Sequence, residues 1–401
     1  MDIELKIEKL VFGGDGLGFV DGKACFVERA LPGEKILARI LSDKPNFMKA
    51  KLLRVLEASP CRIPPPCPYI ERCGGCQYQD LPYLEELKWK ECQVHESFSQ
   101  VFKGEDIPTL PIQHGPKEYG YRTSITIHRT TEKNHKPQRL GFIGHDNYSK
   151  VLIDYCMLAD ERLKKIFTAE HKLNRREEKR GFKLDEKGRI FTNDEEKLYR
   201  ISIGGRSLWA SSMGFFQNNI EVTELIAQKL AEYLEALKPS RFLDLYAGVG
   251  TFPLLATHPP KRGSPDLEAA CGIPEIHCFE DNPYSTGCLR RNVKEWELPL
   301  AGIFSGKVEK TFPRFILRSP KPGTLIFMDP PRQGIASSLA DFLAKEDAGE
   351  NILYLACDLQ ILLRDLRQIL ARGRYKVREV IPFDMFPRTK HIEVLVWLAK
   401  I

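Results

Sequence analysis

The chain has 401 residues, 42% of them apolar and 28% charged, with 60 Lys and Arg against 54 Asp and Glu for a net charge of +6. That length exceeds a single hydrophobic core, so two or three domains are expected, and the composition is that of a folded soluble protein, not a disordered or fibrous one. No apolar run approaches the roughly 18–20 residues of a membrane helix, which predicts a cytoplasmic location; eleven cysteines in such a chain point to metal binding or catalysis and away from disulfides.

The first predicted unit is residues 1–58. MDIELKIEKL alternates charge with Ile and Leu, the pattern of a strand and not of a signal peptide. Turns follow at Gly13-Gly14-Asp15-Gly16, Asp21-Gly22 and Pro32-Gly33, which predicts a small all-β barrel. GGDGLG contains a G-x-G-x-G run, but no helix pattern follows it, so a dinucleotide site is excluded and tight hairpin turns are expected.

The proline-rich SPCRIPPPCP marks the next boundary and opens a central unit, residues 59–205. Cys67-x5-Cys73-Gly-Gly-Cys76 places three thiols within ten residues, with glycines that let the backbone wrap closely, a donor set suited to a soft metal. A structural zinc usually shows a second Cys pair, which is absent; an iron–sulfur cluster often takes one ligand from far away in the chain. Spacing leaves both metals open, and it leaves Cys61, Cys92 and Cys156 open as fourth ligand. Residues 115–150 carry seven Lys or Arg against three acids, interleaved with Tyr119, Tyr121, His128, His135 and Tyr148. Such a mixture suits a phosphate backbone with unstacked bases, and equally an ordinary solvated strand pair. Residues 161–200 are more charged still but nearly balanced, and are expected at the surface.

The third unit is residues 206–401. Asn219 is placed to cap a helix whose Leu225, Ile226, Leu230, Tyr233, Leu234 and Leu237 share one face, ended by Pro239. RFLDLYAG, IHCFE, TLIFMD, ILYLAC and HIEVLVWL then read as strands alternating with helices. That order predicts a mostly parallel, doubly wound α/β sheet. Asp244-Leu-Tyr-Ala-Gly-Val-Gly-Thr-Phe is a glycine turn between strand and helix, and Glu280 ends the following strand, an arrangement that suits an adenosine moiety. The pyrophosphate fingerprint G-x-G-x-x-G is missing, which favours S-adenosylmethionine over NAD.

Three further strand ends carry chemistry: Asp329 in FMDPPRQG, Cys357 in LYLACD and Glu393 in FDMFPRTKHIE. Free cysteine usually only packs, and Glu393 alone reads as a surface acid beside Lys390. Carboxyl ends of parallel strands share one cleft, however, where a thiol and a carboxylate form a nucleophile and a base. Asp358, adjacent to the thiol, is expected to raise its pKa if the carboxylate is close and ionised.

Taken together these segments resemble the RNA 5-methyluridine methyltransferase family over nearly the whole chain, and specifically its ribosomal RNA branch. GGDGLGFVDGKACFVERALPGE resembles the TRAM barrel, an OB-like RNA-binding module, and CPYIERCGGCQYQ resembles the iron–sulfur segment. GFFQNN, DLYAGVGTF and CFEDN resemble the cofactor site; DPPRQG, YLAC and FDMFPRTKHIE resemble the two family signatures. The resemblance implies a class I (Rossmann-like) methyltransferase domain behind the barrel and a central α+β RNA-binding region. It implies a [4Fe-4S] cluster on Cys67, Cys73, Cys76 and Cys156. It implies S-adenosylmethionine at Gln217, Tyr246, Thr251, Glu280 and Asp329, with Cys357 as nucleophile and Glu393 as base. The partner it implies is RNA, ribosomal in preference to transfer RNA, with no membrane and a monomeric chain; the alternative in another class is a catalytically silent RNA-binding assembly factor. Ala356-Cys357-Asp358-Leu359 replaces the family's usual Ser-Cys-Asn-Pro. HPPKRGSPDLEAACGIPE lengthens one connection as a surface insertion. Arg388 is unusual in its signature and is expected to touch phosphate.

Overall fold

The structure, a computed structural model, describes residues 1–129, 140–169, 171, 178–257, 273 and 275–401. His135 lies outside the described residues, as does the insertion at 258–275 apart from Ile273 and Glu275.

Five strands, β1 (Asp2–Leu10), β2 (Gly16–Val20), β3 (Lys23–Glu28), β4 (Lys35–Asp43) and β5 (Phe47–Glu57), close a barrel in the order β1-β2-β3-β5-β4. The alternation in β1 points Ile3, Leu5 and Ile7 inward to meet Val27, Ile36 and Met48. The glycines do more than turn hairpins. A Cβ at Gly16 would stand 2.4 Å from the Ala30 carbonyl oxygen, and one at Gly18 would stand 2.3 Å from that of Lys6, so two strand glycines permit the barrel's close backbone approach. The barrel docks through Arg29 and Arg62, which both pair with Asp80, Arg62 also reaching the buried Glu34.

The central region contains α1 (Tyr83–Val101), β6 (Gln113–His114), β7 (Ser124–Arg129), β8 (Leu140–Ile143), β9 (Lys150–Leu152), α2 (Lys164–Thr168), β10 (Lys179–Leu184) and β11 (Ile190–Thr192). Strands β11-β10-β7-β8-β9 form an antiparallel sheet. Residues 161–200 are not simply surface. Leu163, Ile166, Phe167, Phe182 and Leu184 pack with Ile125 and Ile127 into that sheet's core, because local charge balance does not report the period-2 burial of a strand. The hairpin β12 (Leu198–Ile203) and β13 (Arg206–Ser211) leads into the last region.

There α3 (Ile220–Leu237), β14 (Arg241–Leu245), α4 (Thr251–Thr257), β15 (Ile276–Glu280), α5 (Pro283–Glu295), β16 (Gly302–Ser305), α6 (Val308–Arg318), β17 (Thr324–Met328), α7 (Ser337–Lys345), β18 (Asn351–Ala356), α8 (Leu359–Leu370), β19 (Tyr375–Asp384) and β20 (Glu393–Lys400) follow in order. The Asn219 side chain accepts from the Val222 N–H and caps α3. The sheet runs β16-β15-β14-β17-β18-β20-β19-β6. All pairs are parallel except the two made by β20, which runs against β18 and β19. Both faces are buried, as near-continuous apolar strands require. Leu243, Ile326 and Tyr354 face α6, α7 and α8, while Phe242, Phe327 and Leu353 face α3 and α4. Val94 and Phe98 of α1 join the first of these cores and β6 extends the sheet, so part of the central stretch packs as an element of the sheet domain.

Candidate active site

Five strands of the large sheet, β14, β15, β17, β18 and β20, meet at one edge, and each brings a candidate side chain there or in the turn beside it. The turn after β14 is left-handed at Tyr246 (φ +68°), Gly248 (φ +56°) and Gly250 (φ +86°). At Gly250 a Cβ would lie 2.6 Å from Leu289, so this glycine also lets α4 and α5 pack closely. Glu280, buried at the end of β15, accepts from the Gly248 N–H (2.7 Å) and the Asn282 N–H (2.8 Å), one on each carboxylate oxygen. Its orientation is thus fixed, and a lone pair on each oxygen remains for a hydroxyl donor. Thr251 opens α4, nearly buried.

Acid charge is concentrated behind this turn. Asp244 is buried with both carboxylate oxygens unpartnered, and burial, then Asp329, then Glu280 push it well above the carboxylate range. Asp329 follows β17; it accepts from the Gln217 side-chain amide at 2.9 Å, and burial raises it to about 7. Asp244 is thus raised by both carboxyls beside it, Asp329 and Glu280, a crowding that a cationic ligand would relieve.

Cys357 follows β18. Ala356 pairs with Val394, so Cys357 and Glu393 are the next residues outward on neighbouring strands, and opposite residues of antiparallel strands share a face. Glu393 therefore does not stand at a strand's carboxyl end, as the sequence pattern suggested; it begins β20. Because β20 is antiparallel, its first residue reaches the same edge as the last residues of β17 and β18. Burial, then Glu393, raises the Cys357 thiol to about 12, Asp329 adds to the rise, and Arg332 opposes it. Burial and Asp329 hold Glu393 well above its ordinary value, again opposed by Arg332. His391 is pushed down to about 4 by burial and by Arg332, Lys390, Arg122 and Lys90, leaving a neutral imidazole at pH 7.

Two sequence expectations change here. Asp358 does not act on the thiol, because its carboxylate accepts from Gln360 N (3.0 Å) and Ile361 N (3.1 Å) as the N-cap of α8. Arg388 is unavailable to phosphate. It is 4% exposed, with its guanidinium on the Tyr78 and Leu81 carbonyls and on Glu86 and Glu118. Sequence reasoning also passed over Arg332, which is exposed at the mouth and is the cation acting on Cys357, Glu393 and His391 together. Its signal was its place three residues after Asp329 in a strand-end loop.

The four remaining candidates gather elsewhere. Cys73 and Cys156 border one small core, Cys67, Cys76 and Cys156 another, and the charge of Cys156 acts on each of the other three thiols. Burial is the largest cause raising these three, Cys76 to about 12. Cys61 packs apart from them and Cys92 faces solvent on α1, so neither joins the set. Thiols are donors of the type a soft metal takes, and Gly74 permits the chain to wrap there, since a Cβ would stand 2.8 Å from the Gly144 carbonyl oxygen. Among the described residues, no three His, Cys, Asp or Glu side chains converge closely enough to hold a metal ion. All ten cysteines of the described residues are free thiols. In the basic stretch Tyr148 is 84% exposed, whereas Tyr121 is buried with its hydroxyl on the Pro387 carbonyl, so only part of that stretch is surface.

The family described as tRNA (Uracil-5-)-methyltransferase matches residues 319–401, and the TRAM domain matches residues 2–53. An uncharacterized RNA methyltransferase of Bdellovibrio bacteriovorus is 30% identical over 99% of this chain and 94% of its own length. The tRNA (uracil(54)-C(5))-methyltransferase of Schizosaccharomyces pombe is 29% identical over 100% of this chain and 78% of its own. The Pyrococcus abyssi tRNA (uracil-54, C5)-methyltransferase, solved with S-adenosyl-L-homocysteine, shares the fold. Its TM-score is 0.69 at 20% identity, across 98% of this chain and 99% of that one.

Proposed function

Because this chain belongs to the RNA uracil-5-methyltransferase family, we propose that it transfers a methyl group from S-adenosylmethionine to carbon 5 of a uridine in RNA, through a covalent bond between Cys357 and carbon 6. The observation that carries the reading is one sheet edge where Cys357 and Glu393 are cross-strand neighbours and Asp329 joins them to the acid-lined turn.

The cofactor supplies an electrophilic methyl on a sulfonium. Gln217, Tyr246, Thr251, Glu280 and Asp329 would hold it: Glu280 the ribose hydroxyls, Asp329 and the unpartnered Asp244 its positive charge. Cys357 gives its proton to solvent and its sulfur forms the S–C6 bond, and the C5=C6 electron pair moves to carbon 5 for methyl transfer. Arg332 stabilises the thiolate and any ionised carboxylate facing it. Glu393 then takes the carbon 5 proton, the C5=C6 bond re-forms, and the S–C6 bond breaks. A base inside a helix cannot reach this edge, so the substrate is a loop or a flipped uridine. Phe215, 66% exposed two residues before Gln217, offers a stacking face.

In this reading the barrel (1–58) binds RNA, the central region (59–205) carries the cysteine set and residues 206–401 carry out transfer. For Cys67, Cys73, Cys76 and Cys156 the group that suits four thiols at two adjoining cores sharing Cys156 is an iron–sulfur cluster, [4Fe-4S] as the resemblance implies. Ribosomal RNA was the expected substrate. The name of the Schizosaccharomyces pombe relative favours a second reading, transfer RNA. Mapping 5-methyluridine in both RNAs after incubation decides between them, and product in neither, with no methyl incorporated, leaves the silent RNA-binding alternative.

A further inference from the structure

We propose that Arg388 is a positioning residue for Glu393: it clamps the loop that delivers the base to the cysteine-bearing half of the chain. The inference rests on the covalent mechanism above. Residues 385–392 join β19 to β20 and end at Glu393. Most polar contacts of this loop cross to residues 74–121; the others are internal to it or, at the Met385 carbonyl, come from Asn219. The Arg388 guanidinium donates to the carbonyls of Leu81 (2.7 Å) and Tyr78 (3.3 Å) and to Glu118, and lies 3.4 Å from Glu86. The rings of Tyr83 and Tyr119 both stand 5.3 Å from it. Its own N–H donates to Glu86 at 2.7 Å, and its carbonyl accepts from Gln77 N (3.0 Å) and Tyr78 N (3.3 Å).

Gln77 completes the link. Its side-chain oxygen accepts from Lys390 N (2.9 Å) while its amide donates to the Gly74 carbonyl (2.9 Å), inside the Cys73–Cys76 wrap. Tyr121 donates to Pro387 O at 3.0 Å, and Lys90 bridges Asp384 (2.7 Å) and Phe386 O (3.3 Å). Arg388 also holds φ +67°, a conformation rare for a side chain of its size, and the surrounding contacts over-determine it. A five-donor planar fork meets two carbonyls and two carboxylates here, which a lysine's point charge cannot reproduce.

The consequence separates two chemical steps. Cys357 and Asp329 are placed by β18 and β17, which the clamp does not touch, whereas Glu393 follows the clamped loop directly. Loosening the clamp leaves S–C6 bond formation and methyl transfer in place. It slows removal of the carbon 5 proton, the step whose electron pair re-forms C5=C6 and expels the Cys357 sulfur. The methylated Cys357–RNA adduct then accumulates.

The test is single-turnover and steady-state kinetics on the full chain with cofactor and substrate RNA, with adduct read as a denaturant-resistant protein–RNA band. Arg388→Ala is expected to keep one rapid methyl transfer per enzyme, to slow later turnover by roughly tenfold or more, and to show the band. Arg388→Lys recovers part of the lost turnover. Gln77→Ala, which cuts the Lys390 tether and the bond to Gly74 but leaves the Arg388 guanidinium contacts in place, shows a weaker version of the same defect and stands in if Arg388→Ala does not fold. Equal loss of the rapid and slow phases, or wild-type turnover without a band in the variant that folds, overturns the clamp. Glu393→Gln is the control on the parent reading: if it gives no adduct and Cys357→Ala still turns over, the covalent mechanism itself fails, whatever Arg388 does.

Discussion

At the scale of single residues, the resting thiol of Cys357 is protonated at neutral pH, because burial and the facing Glu393 raise it to about 12. Arg332 is the opposing charge, so Arg332→Gln should raise the thiol further and slow its alkylation by iodoacetamide at pH 8 to 9; an unchanged rate would remove Arg332 from the thiol's environment. Asp329 gives a pH dependence with a definite sign. Its carboxyl is raised to about 7 in the free protein, and a cationic cofactor favours the ionised form. Cofactor affinity should therefore rise with pH up to about 7 and level off above it, falling by up to about tenfold per unit on the acid side. Asp329→Asn should bind weakly and without that limb, as titration calorimetry across pH 5.5 to 8.5 would show. That Asp329, Cys357 and Glu393 meet at one sheet edge was legible in the sequence because each adjoins an apolar strand run, and strand ends of one sheet share a cleft. The parts played by Asp358 and Arg388 were not legible. A cap is closed by backbone N–H groups, and the partners of Arg388 lie about 300 residues earlier in the chain.

At the scale of elements, α8 organises the edge. Its N-cap, Asp358, follows Cys357 directly, and its Asp365 accepts from Ile335 N (3.0 Å) and the Tyr354 hydroxyl (2.6 Å), tying the loop after Asp329 to β18. Removing that carboxylate leaves a buried N–H and hydroxyl unsatisfied, so Asp365→Ala should cost about 1–3 kcal/mol in denaturant unfolding. Asp358→Ala should cost about 1 kcal/mol through the lost cap. Asp358→Asn keeps the cap and removes the charge, and its turnover should equal the wild type's; a faster enzyme would mean that the carboxylate does hold the thiol back. Strands β14, β15, β17, β18 and β20 were legible as apolar runs bounded by turn residues. The four-residue edge strand β16 and the two-residue β6 were not, since neither is long enough to show a period. The reversed direction of β20 escaped as well, because a strand's apolar pattern is the same read either way.

At the scale of the whole molecule, the sheet domain is assembled from distant pieces of chain: α1 and β6 pack on it although the β7–β11 sheet intervenes before β12. Sequence patterning divides a chain at composition changes and does not see such a return. The cysteine set sits at this junction, one residue from Gln77. An anaerobic preparation should be brown with broad visible absorbance that Cys156→Ser bleaches; a colourless protein carrying zinc would contradict the iron–sulfur assignment. No helix of the described residues is long and apolar enough to cross a membrane. The central claim, transfer to carbon 5 through Cys357, is tested most directly by tritium release. The full chain is incubated with S-adenosylmethionine and RNA labelled with tritium at carbon 5 of uridine. Tritium should appear in water in step with methyl incorporation, and Cys357→Ala should release none; methyl incorporation without tritium release, or release undiminished in Cys357→Ala, would contradict the account.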